Sequence, residues 1–216
     1  MTKAIVFDLD GTLIDSAPDL RAALNLVLSA EGAAPVTLAE TIGFIGHGIP
    51  SLVHAARMAR DLPADRQTAM TDAMFHHYLA NPSTLTRPYP GVVAALDRLR
   101  GDGVRLGLCT NKALAPTLQI LSALDLARWF DVVIGGDSLP QKKPDPAPLH
   151  AAFAGLGDRW FFVGDSEVDA RTALAAGVPF ALFTQGYRKT PVADLPHRVA
   201  FDDWHALPDL LMAQPG

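Results

Sequence analysis

The chain has 216 residues, enough for one large domain or a domain with an inserted module, and 49% of them are hydrophobic, enough for a sizeable core. Its 18 basic and 23 acidic residues give a formal net charge of −5 without a basic run, so we expect no nucleic-acid partner. One cysteine, Cys109, excludes an intrachain disulfide and favours the cytoplasm, and no apolar stretch predicts a signal peptide or a membrane span.

The first predicted strand, Ala4 to Phe7, is followed at once by two carboxylates. Its uninterrupted apolar character predicts a strand buried on both faces, as in a parallel sheet. Asp8 and Asp10 are two residues apart, so an extended backbone points both side chains the same way, and Gly11 permits a tight turn after them. Ligands of open α/β sheets bind at this end of the strands, so the pair indicates a cation site or a shared proton. An acidic turn after a buried strand is the alternative.

A block of helices is predicted between residues 16 and 85. Ser16 is the expected N-cap of the first helix, with Asp19 at the capping-box position, and the apolar periodicity of this helix continues up to Gly32. Three further helical patterns cover about residues 38–42, 50–58 and 64–79, and we expect no strand between residues 16 and 84.

After a turn rich in proline and glycine at residues 87–91, helices and strands alternate. Strands are predicted at residues 104–109, 132–134, 160–163 and 180–183, and helices at residues 92–100, 113–124, 148–155 and 167–176. This alternation predicts a mostly parallel sheet, to which the first strand also belongs. The helical block is therefore an insertion beside Asp8, placed to cover whatever binds at the carboxyl ends of the strands.

Two later strand ends carry residues suited to phosphate. Thr110 and Asn111 follow the strand at 104–109, where a hydroxyl and a helix N-terminus can hold a phosphate group, although a simple N-cap is the alternative. In the next loop, Lys142 and Lys143 precede a proline-rich stretch, and a lysine there could neutralise a phosphoryl group. A solvated lysine pair is the alternative.

The strand at 160–163 is followed by two more carboxylates, Asp165 and Asp169. Asp165 lies at the strand end, where a metal ligand is expected, whereas Ser166 and Asp169 have the spacing of a capping box. Asp8, Asp10 and Asp165 are hard oxygen donors, which with water and a phosphate oxygen suit an octahedral Mg²⁺ ion.

These motifs resemble, in order and in position after a strand, those of the haloacid dehalogenase-like phosphotransferases. The matching stretches are Asp8-Leu9-Asp10-Gly11-Thr12-Leu13, Thr110-Asn111, Lys143-Pro144-Asp145-Pro146 and Gly164-Asp165. The resemblance implies that Asp8 is the nucleophile and that Asp10, which binds the metal through its carbonyl, is the general acid/base. It further implies that Thr110 and Lys143 hold the transferring phosphoryl group, and that Asp169 supports the metal site without binding the ion directly.

The position of the insertion resembles that of the helical cap of phosphoglycolate phosphatases, β-phosphoglucomutase and phosphonoacetaldehyde hydrolase. The resemblance implies an α/β fold with a Rossmann-like parallel-sheet core (residues 1–15 and 86–216) and an inserted α-helical cap domain (residues 16–85). Residues 45–53 are similar to the substrate loop of phosphoglycolate phosphatases, and a flexible loop with a surface histidine is the alternative. The expected substrate-binding residues are Gly11, Thr12, Gly46, His47, Gly48 and Asn111.

The expected function is a Mg²⁺-dependent phosphatase of small phosphomonoesters, acting through an aspartyl-phosphate. Within the family, the resemblance favours 2-phosphoglycolate, hydrolysed to glycolate and phosphate. Asp10 indicates the phosphatase branch, since dehalogenases similar to this chain lack a second Asp. A sugar-phosphate phosphatase or phosphomutase, and a non-catalytic module that binds a phosphorylated metabolite, are the alternatives. The expected partner is a small phosphorylated metabolite, without nucleic acid or membrane, and the expected state is a monomer or homodimer.

Overall fold

The computed structural model of the protein describes residues 2–80 and 83–214. The strands are β1 (Lys3–Phe7), β2 (Ile14–Asp15), β3 (Arg87–Pro88), β4 (Arg105–Cys109), β5 (Val132–Ile134), β6 (Asp158–Gly164), β7 (Phe180–Phe183) and β8 (Val199–Phe201). The helices are α1 (Ala17–Ala30), α2 (Leu38–Phe44), α3 (Ile49–Ala59), α4 (Gln67–Ala80), α5 (Val92–Gly101), α6 (Leu114–Ala123), α7 (Ala147–Phe153), α8 (Glu167–Ala176) and α9 (Leu207–Met212). Short 3₁₀ turns lie at Ala64–Arg66, Ala127–Trp129 and Val192–Asp194.

A six-stranded parallel sheet with the order β5-β4-β1-β6-β7-β8 forms the centre of the protein. In β1, Ile5 and Phe7 belong to one buried apolar cluster and Ala4 and Val6 to another, because successive side chains of a strand point to opposite faces. Phe7 is in register with Leu108 of β4 and with Val163 of β6. The carboxyl ends of β1, β4 and β6 therefore lie side by side, which brings their polar loops together.

The helical insertion leaves the sheet through a small two-stranded connection. Strands β2 and β3 pair antiparallel, with Ile14 opposite Pro88, and helices α1 to α4 lie between them in the chain. Apolar residues such as Leu24 of α1, Val53 of α3 and Met74 of α4 are fully buried in the same apolar cluster. The fold is thus the expected Rossmann-like α/β core with an inserted helical cap. In the part of the chain that the structure describes, no helix has the length and apolar character needed to cross a membrane.

Two local expectations differ from the structure. The sheet has a sixth strand, β8, followed by α9, where the sequence pattern predicted neither. The capping box expected at Ser16 is wrong, since its side chain makes no cap hydrogen bond. The carboxylate of Asp19 accepts hydrogen bonds instead from the backbone of Leu85 and Thr86, which ties α1 to the segment returning from the cap. By contrast, the capping box of Ser166 and Asp169 is present.

Candidate active site

The polar residues at the carboxyl ends of the strands line one cavity of about 410 Å³. The sheet side of the cavity includes Asp8, Asp10, Thr110, Lys143, Asp165 and Asp169. The cap side includes Gly46, His47, Gly48 and Phe75. The sequence-predicted residues of all four strand-end motifs therefore meet at one site between the core and the cap.

Lys143 is the central cation of this site. Its Nζ lies 2.8 Å from Asp8 Oδ1 and 2.6 Å from Asp169 Oδ1, and the residue is only 3% exposed. Burial alone would lower the pKa of the Lys143 ammonium, but the carboxylates of Asp169 and Asp8 outweigh it and raise the pKa above its ordinary value. Lys143 is therefore charged when it contacts the Asp8 carboxylate.

Asp8 is a buried carboxyl group in a strongly charged setting. Burial raises the pKa of Asp8 to about 7, the negative charge of Asp169 adds to this effect, and Lys143 opposes it. Burial likewise raises the pKa of Asp165 well above its ordinary value, with Asp169 and Asp8 contributing. The geometry of the 2.8 Å ion pair with Lys143 is not that of a hydrogen bond, so Asp8 Oδ1 has no hydrogen-bond donor among the described residues.

The acidic cluster has the chemistry of a divalent-cation site. Oxygen atoms of Asp8, Asp165 and Asp169 lie within 4.8 Å of one another. When all three carboxylates are ionised, they exceed the single ammonium of Lys143 by two negative charges, which a divalent cation would balance. Oδ1 of Asp8, which is buried and accepts no hydrogen bond of good geometry from the described residues, is the polar atom that such an ion would satisfy.

Asp165 and Asp169 differ in how the protein holds them. Asp165 accepts a hydrogen bond from Thr12 Oγ1 at 2.7 Å and one from the backbone N–H of Tyr187 at 2.6 Å. Asp169 accepts from Lys143 through Oδ1 and from the hydroxyl of Ser166 through Oδ2, both at 2.6 Å. The Asp169 carboxylate therefore already has its cation, whereas the partners of Asp165 are neutral and leave its charge available for a metal.

Asp10 is held from two sides. The hydroxyl of Ser16 donates to Asp10 Oδ1 at 2.5 Å, and Lys112 Nζ lies 2.8 Å from Asp10 Oδ2. Lys112 is a residue of the site without a predicted role, although it directly follows the Thr110-Asn111 pair. That position, one residue beyond a predicted phosphate-binding pair, is the signal that could have indicated it.

Thr110 and Asn111 have different surroundings although they are neighbours. Thr110 Oγ1 accepts a hydrogen bond from the backbone N–H of Lys112 at 3.2 Å, which leaves the Thr110 hydroxyl proton for an acceptor in the cavity. The Asn111 amide donates to the carbonyls of Gly46 and Lys143, at 3.0 Å each, and accepts from the Lys143 N–H at 3.0 Å. The Asn111 side chain thus links the cap loop to the core.

Gly11 and Thr12 lie behind the carboxylate of Asp165 and are absent from the lining of the cavity. Gly11 has a φ of +83°, and a Cβ atom there would lie 2.5 Å from Asp165 Oδ2. Thr12 is fully buried, with its hydroxyl directed at Asp165. Thr12 thus donates to Asp165 and Gly11 leaves room for its carboxylate, while the expected substrate contact of these two residues stays a prediction.

The cap loop presents its backbone to the cavity. Gly48 precedes α3 with a φ of +84°, and a Cβ atom there would lie 3.2 Å from the Asn111 carbonyl oxygen. His47 is exposed although it contributes to the lining. The N-terminal end of α3 thus faces the same cavity as the strand-end residues.

Tyr187 is a further residue at the site for which the sequence held no signal. Its backbone N–H contacts Asp165, and its hydroxyl contacts the start of α1 at Ser16 and Ala17. It lies 171 residues after Ser16 in the chain, so only the tertiary structure brings the two together.

Comparisons with known proteins point to the same hydrolase family as the sequence motifs. A family model described as haloacid dehalogenase-like hydrolase matches residues 2–177. A phosphoglycolate phosphatase of Cereibacter sphaeroides is 55% identical over 210 residues, which cover 96% of each chain. The phosphoglycolate phosphatase of Rhodobacter capsulatus is 41% identical over 215 residues, covering 98% of this chain and 97% of that one. The crystal structure of a predicted phosphoglycolate phosphatase from Haemophilus somnus 129PT has a TM-score of 0.92 at 30% identity, covering 99% of this chain and 98% of that one.

Proposed function

The chain belongs to the haloacid dehalogenase-like hydrolase family, and from this premise we propose that it is a phosphatase that hydrolyses 2-phosphoglycolate to glycolate and phosphate. The observation that carries the proposal is the pairing of buried Asp8 with Lys143 in the same cavity as Asp10. That arrangement supplies a nucleophile, a charge-neutralising cation and an acid/base group together. The names of the relatives at 55% and 41% identity support phosphoglycolate as the substrate.

In the first step, a carboxylate oxygen of Asp8 attacks phosphorus, the new Asp8 O–P bond forms, and the bond between phosphorus and the glycolate oxygen breaks. Asp10 gives its proton to that departing oxygen, which leaves as the glycolate hydroxyl. In the second step, Asp10 takes a proton from water, and the water oxygen attacks phosphorus and releases Asp8 and phosphate. Both carboxyl groups return to their starting forms.

Two residues would stabilise charge on the transferring group. Lys143 Nζ is buried and lies 2.8 Å from Asp8, so it can donate hydrogen bonds to the phosphoryl oxygens during the transfer without competition from water. The free hydroxyl proton of Thr110 can be donated to a phosphoryl oxygen. Both roles require a closed, dry cavity, which the cap would provide.

Mg²⁺ is the cofactor that these residues fit best, with Asp8, Asp165 and the backbone carbonyl of Asp10 as its protein ligands. When bound, the ion would act as a Lewis acid toward the phosphoryl oxygens. Asp169 would serve the site by holding Lys143, since its carboxylate is already paired with that ammonium. Thr12 would orient Asp165 through its hydroxyl, and Gly11 would leave room for the Asp165 carboxylate.

We propose that the cap comprises residues 16–85 and the core residues 1–15 and 86–216. Gly46, His47 and Gly48 would enclose the substrate and offer backbone N–H groups to it, and Asn111 would fasten this loop to the core. We further propose the cytoplasm as the location, which rests on the single cysteine, and a monomer or homodimer as the working state.

The test is a steady-state assay of released phosphate with phosphoglycolate and a panel of phosphorylated three-carbon and hexose compounds. We expect kcat/KM for phosphoglycolate to exceed that for hexose phosphates by at least ~100-fold. Asp8→Asn should lose more than ~99% of turnover, because an amide is no nucleophile, while circular dichroism shows an unchanged fold. A preference for a hexose phosphate would instead indicate a sugar-phosphate phosphatase.

A further inference from the structure

The buried cations of the described residues differ in how many partners they have. Three basic side chains are buried in this part of the chain: Arg57, Lys112 and Lys143. Arg57 donates to the Leu62 carbonyl at 2.7 Å and to Gln67 at 3.1 Å, and Lys143 lies between two carboxylates. Lys112 has one carboxylate partner, Asp10.

The ammonium of Lys112 has capacity for another anion. It has three donor protons, and one of them serves Asp10 Oδ2 at 2.8 Å. The ring of Tyr78 covers another side, with its centroid 4.8 Å from Lys112 Nζ. Lys112 is only 8% exposed, yet it contributes to the lining of the cavity. Its remaining donor capacity is therefore available to a bound ligand more than to bulk water.

Tyr78 supplies a second, independent observation. It is 1% exposed, and its hydroxyl lies against the Lys112 ammonium and has no other polar partner among the described residues. It lies on α4, three residues after Phe75, which lines the cavity, and residues three apart share a helix face. Burial raises the pKa of Tyr78 to about 12, so the group remains a hydroxyl donor. The Lys112 ammonium can only donate, so the proton of the Tyr78 hydroxyl has no acceptor among the described residues, which indicates that a bound ligand or water accepts it.

We infer that Lys112, together with the hydroxyl of Tyr78, forms the subsite that binds the carboxylate of the substrate, an inference that rests on the proposed function. Asp10 must reach the oxygen that leaves phosphorus, and in phosphoglycolate one methylene separates that oxygen from the carboxylate. A cation 2.8 Å from Asp10 is therefore placed near the carboxylate end of the substrate. Lys112 would distinguish phosphoglycolate, which carries a carboxylate charge, from phosphate esters that lack one.

The test compares two substrates with similar alkoxide leaving groups, phosphoglycolate and 2-hydroxyethyl phosphate, of which only the first has a carboxylate. The measured quantity is the ratio of their kcat/KM values, because any fall caused by disturbing Asp10 affects both substrates. We expect the ratio to be at least ~100 in the wild type and to fall at least ~30-fold in Lys112→Met. Lys112→Arg, which keeps the charge, should retain a ratio above ~10, and Tyr78→Phe should lower the ratio ~3-fold to ~10-fold.

Lys142→Met is the matched control, because Lys142 also lines the cavity but is exposed at its rim. The ratio of the two kcat/KM values in Lys142→Met should stay within ~3-fold of the wild-type ratio. If Lys112→Met keeps the wild-type ratio, or if Lys142→Met loses it, the Lys112 subsite is refuted while the proposed function stands. A wild-type ratio near one would refute phosphoglycolate as the preferred substrate. Circular dichroism establishes that each variant is folded, and Tyr78→Phe together with Lys112→Arg still tests the subsite if Lys112→Met does not fold.

Discussion

Tyr187 caps the first cap helix in place of Ser16. The Tyr187 hydroxyl oxygen accepts hydrogen bonds from the backbone N–H groups of Ser16 at 2.8 Å and Ala17 at 3.0 Å, and the hydroxyl donates to Asp15 at 2.6 Å. The hydroxyl of Ser16 does not cap its own helix and donates to Asp10 instead. A tyrosine of the core therefore sets the position of the residue that holds Asp10.

Replacing Tyr187 with Phe should destabilise the protein by about 1–2 kcal/mol. Two N–H groups at the start of α1 lose their acceptor in a buried setting, and Asp15 loses a donor. Urea unfolding in EDTA measures the change. Tyr78→Phe is the matched control, since its hydroxyl contacts only Lys112, which keeps Asp10 as its partner, and its loss should cost no more than ~0.5 kcal/mol. Equal losses in the two variants would show that the Tyr187 hydroxyl is not a cap.

The gain in Tm on adding Mg²⁺ should increase as the pH rises. Burial raises the pKa of Asp8 from 3.8 to about 7, so the metal-free folded state binds a proton that the unfolded chain releases between these values. The free energy of unfolding of the metal-free protein should therefore fall as the pH rises through this window, and then level off above it. Burial raises the pKa of Asp165 too, which gives the same sign.

Mg²⁺ requires ionised oxygens, so protons compete with it at low pH. Thermal unfolding in EDTA and in excess Mg²⁺ should show a gain at least ~3 °C larger at about pH 8 than at about pH 5.5. Asp8→Asn should reduce this difference, because the group that exchanges a proton for the metal is gone. A gain independent of pH would contradict the assignment of Asp8 as a ligand.

Asp165 and Asp169 should differ in their effect on metal affinity. Asp165→Ala removes a carboxylate whose protein partners, Thr12 and the Tyr187 N–H, are neutral, and should raise the Kd for Mg²⁺ by at least ~100-fold. Asp169→Ala removes the partner of Lys143 and should raise the Kd by no more than ~10-fold while lowering kcat. Isothermal titration calorimetry with Mg²⁺ measures both. Similar values of Kd would mean that Asp169 binds the ion directly.

Gly48→Ala should impair turnover through the cap. The backbone at Gly48 has a φ of +84°, and the added Cβ would lie 3.2 Å from the Asn111 carbonyl oxygen, so the loop must shift. We expect kcat/KM for phosphoglycolate to fall by ~10-fold and that for p-nitrophenyl phosphate to fall less, since the latter has no carboxylate to accept from the N–H groups of the loop beside Lys112.

Gly43→Ala is the control for this change, because Gly43 is helical and an added Cβ meets no atom within 4 Å. This variant should keep wild-type kinetics and be slightly more stable. A parallel fall for both substrates in Gly48→Ala would show that the loop closes the cavity without recognising the carboxylate. The hydrogen bond from Asn111 to the Gly46 carbonyl ties the loop to the core.

Much of the core could be predicted from the sequence because each motif adjoins a strand buried on both faces. Periodicity locates such strands, and in a parallel sheet the strand ends must meet at one edge, so Asp8, Thr110 and Asp165 were expected together. Strand β8 was not predicted, although the equally short β5 was, because β5 consists of three β-branched residues, whereas β8 has an alanine, a residue of low strand propensity, at its centre.

Local pattern and the geometry of parallel strands were thus enough to predict five of the six sheet strands, the helical insertion and the polar residues that follow the strands. Which side chains position these polar residues is visible in the tertiary structure alone. Lys112 meets Asp10, and Asn111 meets Gly46, across separate loops of the chain. Such contacts depend on how the cap folds back over the sheet, and side chains so far apart in the sequence leave no periodic trace of their pairing.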